Sequence, residues 1–394
     1  MGKGRTAAAI AIATAALALT PALALAQVAV TVSDGKQAHG TDVPGAAPDT
    51  LSSIDLGGAR PRILGTIRVA NSLIGPPTSV AVTPDERLAI VTAAQALAPG
   101  KPPVLVLADV VSVIDLSNRA APKLVQTLHA GPGATGVAIN RAGTLALVAS
   151  TGDDSISVYT IAGRRLKPVG RIQLPYQSRP TDVVFAPDGK SALVVSQTPG
   201  RVVKFAVEGV TLVRTDTAFS PGLLPYGIVV APRGDFAFNS NLGGRIPAEG
   251  APSSAGPRAS TISVLDLNGG KVVDTIDVGA GSEHLTLSAD GAYLAVTVGN
   301  GSNARVGSAE YHPFGLLKIF RVEGPKLTFV TEARTGQWCQ GAAWTRDHRA
   351  ILLQCAGERE IQVFGFDGAG LARDENATLR FDARPASIAT AWSR

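Results

Sequence analysis

Five histidines, two cysteines and scattered arginines are the chain's means for acid–base, thiol or anion chemistry. Glu283-His284 is the sharpest pair. A His beside an acid can act as general base and then general acid when a cyclic ester is opened or formed. The competing reading is a hydrogen-bonded structural His. Arg179 and Arg384 offer planar forks that suit a carboxylate or phosphate; their other use is to hold loop carboxylates and backbone carbonyls. Glu283, His284 and Arg179 form the candidate catalytic set. His129, Arg179, Tyr226, His284, His312, Gln340 and Arg384 form the candidate ligand-binding set.

Other chemistries have little to build on. Cys339 and Cys355 are too few for a disulfide scaffold or a cysteine zinc site. They pair in an oxidising compartment, or remain as two buried thiols. Thr151-Gly152-Asp153-Asp154 has adjacent acids that reach a cation or form a solvated turn. The chain has no Gly-x-Ser-x-Gly elbow, Walker loop, His-Glu-x-x-His, EF-hand loop or Cys-x-x-Cys-His. No metal and no cofactor is expected.

The elements that must position these residues begin after a leader. Lys3 and Arg5 precede an apolar run from Ala7 to Leu19; Thr20-Pro21 breaks it, and Ala24-Leu25-Ala26 has the small-x-small form of a cleavage site. Residues 1–26 therefore read as a signal peptide, the alternative being a single-pass anchor. Loss of Lys3 and Arg5 lowers the formal charge from +5 to +3. That is weak for nucleic acid, and none is expected as a partner. No later apolar run reaches the length of a membrane span. A periplasmic or secreted monomer is expected.

Residues 27–394 read as one all-β domain. Arg179-Pro180-Thr181-Asp182-Val183-Val184-Phe185 leads through Ala186-Pro187-Asp188-Gly189 into Ser191-Ala192-Leu193-Val194-Val195, two alternating runs around a turn. The unit recurs with Val80, Val137, Val183, Ile228, Leu285, Ala342 and Ile388 in the equivalent place, at spacings of 57, 46, 45, 57, 57 and 46. A third strand follows each complete hairpin, as in Val113-Ile114-Asp115-Leu116, and then a fourth, as in Val272–Val278. Four antiparallel strands per 45 or so residues are a propeller blade. The seventh unit is split: Arg384–Thr390 supplies a first strand, and Val28–Val32, Leu51–Leu56 and Ile63–Val69 supply the other three. A seven-bladed β-propeller of four-stranded antiparallel blades, closed by its two ends in one blade, is predicted.

The Val-Ile-Asp-Leu third strand and the Pro-Asp-Gly turn resemble those of YVTN-type and lactonase-like seven-bladed propellers, over residues 28–392. The resemblance implies that the lead-in to each innermost strand and the connection between strands two and three open on one face. Those connections are short in blades 2, 3 and 6. They are long in blades 1 (Ala94–Val110), 4 (Asn241–Ser260), 5 (Gly299–Pro313) and 7 (Ser33–Thr50), predicting two walls of loop with a trough between. In lactonase-like propellers, acid, base and Arg groups at this mouth carry the chemistry, and the family often places a His where His284 stands. The other blades carry Ser79, Gly136, Asp182, Gly227, Gly341 and Ser387 there. Cys339 and Cys355 fall opposite each other on the first two strands of blade 6, where a disulfide would fix Trp338 and Gln340. Two functions from different classes follow. One is an exported binding or scaffold protein holding a small anionic molecule or a protein partner on the looped face. The other is a lactonase or muconate-cycloisomerase type of enzyme at the same mouth.

Overall fold

The computed structural model describes residues 1–2, 27–36, 47–73, 75–100, 104–243 and 260–391. The predicted signal peptide falls almost wholly outside them. Seven antiparallel sheets follow one another around a ring, and the described chain is strand and turn apart from one 3₁₀ turn at Glu375–Ala377. The repeat spacing is thus the blade period.

The ring closes as the split repeat predicts. Arg384–Thr390 pairs antiparallel with Val28–Asp34, Ala389 opposite Val30, and Thr50–Asp55 and Arg62–Arg68 complete the sheet. Both closing strands are buried at every position. Their alternation is therefore packed on two faces, against blade 6 and against blade 1. Glu86 and Arg346, in the turns of those two flanking blades, form an ion pair at 3.5 Å.

Cores lie between sheets. Val183, Val194 and Phe205 of blade 3 pack on Leu147 and Ile156 of blade 2, and Trp344 of blade 6 is wholly buried beside Tyr293 of blade 5. Its indole N–H donates to the Thr286 carbonyl at 3.1 Å, so the ring's polar edge is satisfied as its carbon skeleton is buried.

Two features set the channel mouth. The residue just before the innermost strand is left-handed in five blades: Gly133 (φ +72°), Arg179 (+43°), Leu224 (+52°), Gly281 (+76°) and Trp338 (+51°). In each, its carbonyl accepts the N–H of the residue leaving the second strand, for example Gln197 on Arg179 and Ala356 on Trp338. The first two strands then carry a register shift, between Pro180 and Asp182, Ser282 and His284, Cys339 and Ala342. Such a bulge re-aims side chains at a sheet edge; here it decides which residues face the axis.

One predicted loop is a sheet. Ala94–Val110 was expected as irregular wall, but strands Leu88–Leu97 and Leu105–Asp115 carry their pairing out to Leu97 opposite Leu105. The apolar residues on both sides of the Pro-Gly turn let the blade 1 hairpin extend rather than dissolve. Most of the predicted blade 4 and blade 7 loops falls outside the described residues. The blade 5 segment consists of turns without strands, docked on blade 6 through Ser302 Oγ, which accepts the Trp338 N–H at 3.0 Å.

Candidate functional site

Tyr226, Glu283 and Gln340 occupy one position in three consecutive blades, two residues before Ile228, Leu285 and Ala342. The shared geometry brings their side chains together at the upper mouth. The Gln340 amide Nε2 donates to Glu283 Oε2 at 2.5 Å. Burial raises the Glu283 carboxyl from 4.5 to about 7, and the Gln340 hydrogen bond only partly opposes it. Among the described residues no cation offsets that burial. Burial, with the nearby charges of Glu283 and Asp182, pushes the Tyr226 hydroxyl well above its ordinary range. The phenol therefore stays a hydrogen-bond donor at every pH the protein meets.

The two members of Glu283-His284 have different tasks. His284 is 5% exposed, and its Nδ1 accepts the backbone N–H of Ala342 in the next blade at 3.2 Å. That bond fixes Nδ1 as the unprotonated nitrogen. The imidazole links two blades at the place where five other blades use glycine or serine and blade 3 uses Asp182. The register shift at Ser282/His284 separates it from its neighbour.

The arginines also part. Arg384 is 4% exposed, donates from Nη1 to the Ala356 carbonyl at 2.6 Å, and stacks over Trp338 with its guanidinium carbon 5.7 Å from the ring centroid. It orders the rim. Arg179 is exposed; its backbone N–H is held by Asp154 Oδ1 at 2.7 Å, while its guanidinium has no hydrogen bond or ion pair among the described residues. Asp154 is thus a clamp on the lead-in of blade 3. Asp153 accepts from Ser155 and pairs with Arg171 at 3.1 Å.

His129 and His312 stand away from this group. His129 ends the outermost strand of blade 1, is 67% exposed and bonds Asp109 at 3.0 Å. His312 is exposed in the blade 5 turns. Neither converges with Glu283 in this structure.

The disulfide expectation holds. Cys339 and Cys355 are directly opposed, bonded and buried, which joins the strand carrying Gln340 to its neighbour. Sequence reasoning passed over Asp182 as a site residue. It is wholly buried, accepts Thr78 Oγ1 at 3.0 Å and the backbone N–H of Ile228 at 3.2 Å, and contributes charge beside Tyr226. An acid in a repeat position filled elsewhere by small residues and His284 was the available signal. Among the described residues no three His, Cys, Asp or Glu side chains form a group able to hold a metal, and no helix is long and apolar enough to cross a membrane.

No protein-family model matches the chain, and no curated protein sequence matches it. Many solved structures do. A protein of Bacteroides uniformis, provisionally named a 6-phosphogluconolactonase, is 17% identical over 93% of this chain and 99% of its own, with a TM-score of 0.70. One from Bacteroides fragilis with the same provisional name is 19% identical over 94% and 99%, with a TM-score of 0.69. A hypothetical selenium-binding protein from Sulfolobus tokodaii is 10% identical over 93% and 94%, with a TM-score of 0.65. The resemblance to lactonase-like propellers is therefore borne out as a fold, and the differing names show how little the fold alone says of activity.

Proposed function

We propose that the chain is an exported lactonase-type hydrolase whose general base is Glu283, acting on a small lactone that bears an anionic group. The observation that carries this is a carboxyl lifted to about 7, held at one oxygen by Gln340 beside a protonated tyrosine. A base works best when its pKa lies near the working pH. The Bacteroides proteins' provisional names make lactones the substrates to try first.

In this reading the Glu283 carboxylate takes a proton from water as the water oxygen bonds to the lactone carbonyl. Tyr226 donates a hydrogen bond to the oxyanion that develops. Collapse breaks the ring C–O bond, and the proton held by Glu283 passes to the departing alkoxide, giving the open hydroxy acid. Gln340 keeps one carboxylate oxygen occupied and so aims the other. Arg179 supplies the exposed charge that receives the substrate's anionic group. His284 positions Ala342 and its strand rather than moving protons.

The test is hydrolysis of a lactone panel by the mature protein and by Glu283→Gln. The expected result is turnover in the first and loss of at least a hundredfold in the second. Equal rates would remove the enzymatic reading.

A binding role on the same face has its own support. Tyr176 (89% exposed), Leu223 (57%) and Val306 (73%) stand on lead-in and connecting segments of blades 3, 4 and 5. Large exposed side chains on such segments suit a protein partner. A pull-down lost on Tyr176→Ser/Leu223→Ser, with lactone turnover absent, would favour it.

A further inference from the structure

The opposite end of the ring is hollow. There the last residues of the innermost strands, among them Val82, Ala138, Phe185, Val230, Leu287 and Ala389, enclose a cavity of about 280 Å³. They come from six blades, and all six are buried. At the rim, prolines seat against the turn glycine of the next blade: a Cβ built on Gly291 would clash with Pro232 at 2.5 Å, and one built on Gly234 would touch Pro187 at 3.5 Å.

This cavity is set apart from the upper mouth. Between the two, the inner strands close in until contacts skip a blade. Thr78 Oγ1 of blade 1 reaches Asp182 of blade 3 at 3.0 Å over Gly136 of blade 2. Pro77 of blade 1 comes within 3.2 Å of where a Cβ on Gly341 of blade 6 would stand. A ligand at one end leaves the other end free.

The lining says what would fit. Its walls are mostly apolar, with Asn140, Ser288 and Thr390 the uncharged polar members, and it contains no Asp or Glu. One cation, Arg141 in the blade 2 turn, stands among the lining residues; it is exposed and has no ion pair or hydrogen bond among the described residues. An apolar cavity of about 150 Å³ holds benzene, so this one suits two fused rings or an alkyl chain of similar bulk. We propose that the lower end binds a small apolar carboxylate, its hydrocarbon part inside the cavity and its charge on Arg141. The shape and the sign of charge both argue for such an amphiphile over a neutral hydrocarbon or a polar sugar. This site does not depend on the lactonase reading.

Calorimetric titration of the full chain with 2-naphthoate tests it, with 2-naphthamide as the neutral isostere. Saturable one-to-one binding is expected, with the amide about tenfold weaker or more. Arg141→Ala should bring naphthoate down to the level of the amide. Ala289→Trp, at a partly exposed lining position in the blade 5 turn, should abolish binding with an unchanged melting temperature. Glu283→Gln should leave the affinity as it is. The proposal is overturned if 2-naphthoate does not saturate, if both variants at the lower end bind as the wild type does, or if Glu283→Gln removes binding.

Discussion

Replacing Glu283 with Gln should stabilise the protein in mild alkali and leave it almost unchanged in acid. The folded carboxyl titrates near 7 against an ordinary 4.5 because burial penalises its charge. The folded state thus holds the proton more tightly than the unfolded chain. The group's contribution is full below about 4.5 and is lost as pH rises through about 7. A shift of that size corresponds to about 3 kcal/mol at most, at roughly 1.4 kcal/mol per pH unit. Glu283 retains some solvent contact, so about 1–3 kcal/mol is the working range. Gln cannot ionise and keeps a hydrogen bond to Gln340. Urea denaturation of both proteins at pH 4.5 and pH 8.5 gives the comparison. The variant should gain about 1–3 kcal/mol over the wild type at the higher pH and show almost no difference at the lower. A variant that is equally stable at both pH values, or less stable at 8.5, would refute the claim of a penalised buried charge.

Three further outcomes concern the scaffold. Cys339→Ser/Cys355→Ser opens a bridge of sequence separation 16 and should cost up to about 3 kcal/mol, read from denaturant midpoints with and without reductant. Deleting Arg384–Thr390 unpairs one edge of the buried strand Val28–Asp34 and uncovers the inner strands of blades 6 and 1, and should abolish the cooperative thermal transition seen by circular dichroism. Trp344→Ala, at a position with no exposure, should cost about 3–5 kcal/mol, again measured by denaturation.

Much of the ring was legible because its cause is local. Each blade repeats the same alternation and turn, so Val80 through Ile388 mark the period. The mismatch of that period with the chain ends requires a shared blade, as Arg384–Thr390 beside Val28–Asp34 shows. Cys339 and Cys355 stand nearly equidistant from their turn, and the one-residue register shift between Cys339 and Ala342 brings them directly opposite each other. The site was less legible because its causes cross blades. Nothing near His284 in sequence says that its Nδ1 will take the Ala342 N–H 58 residues away. Arg384 looked like a mouth charge, yet a carbonyl at residue 356 and the face of Trp338 absorb it. The raised Glu283 carboxyl needs the walls of neighbouring blades around it. The ribbon at Ala94–Val110 was hidden by its turn residues, which read as loop although apolar residues flank them on both sides.

The pH dependence of kcat/KM for lactone hydrolysis bears most directly on Glu283 as a base. Its carboxylate is the working form, so the rate should climb with pH along a single ionisation near 7 and then level off, with the Glu283→Gln variant flat and at least a hundredfold slower. A wild-type profile that falls through neutrality, or a variant that keeps the same inflection, would contradict the account.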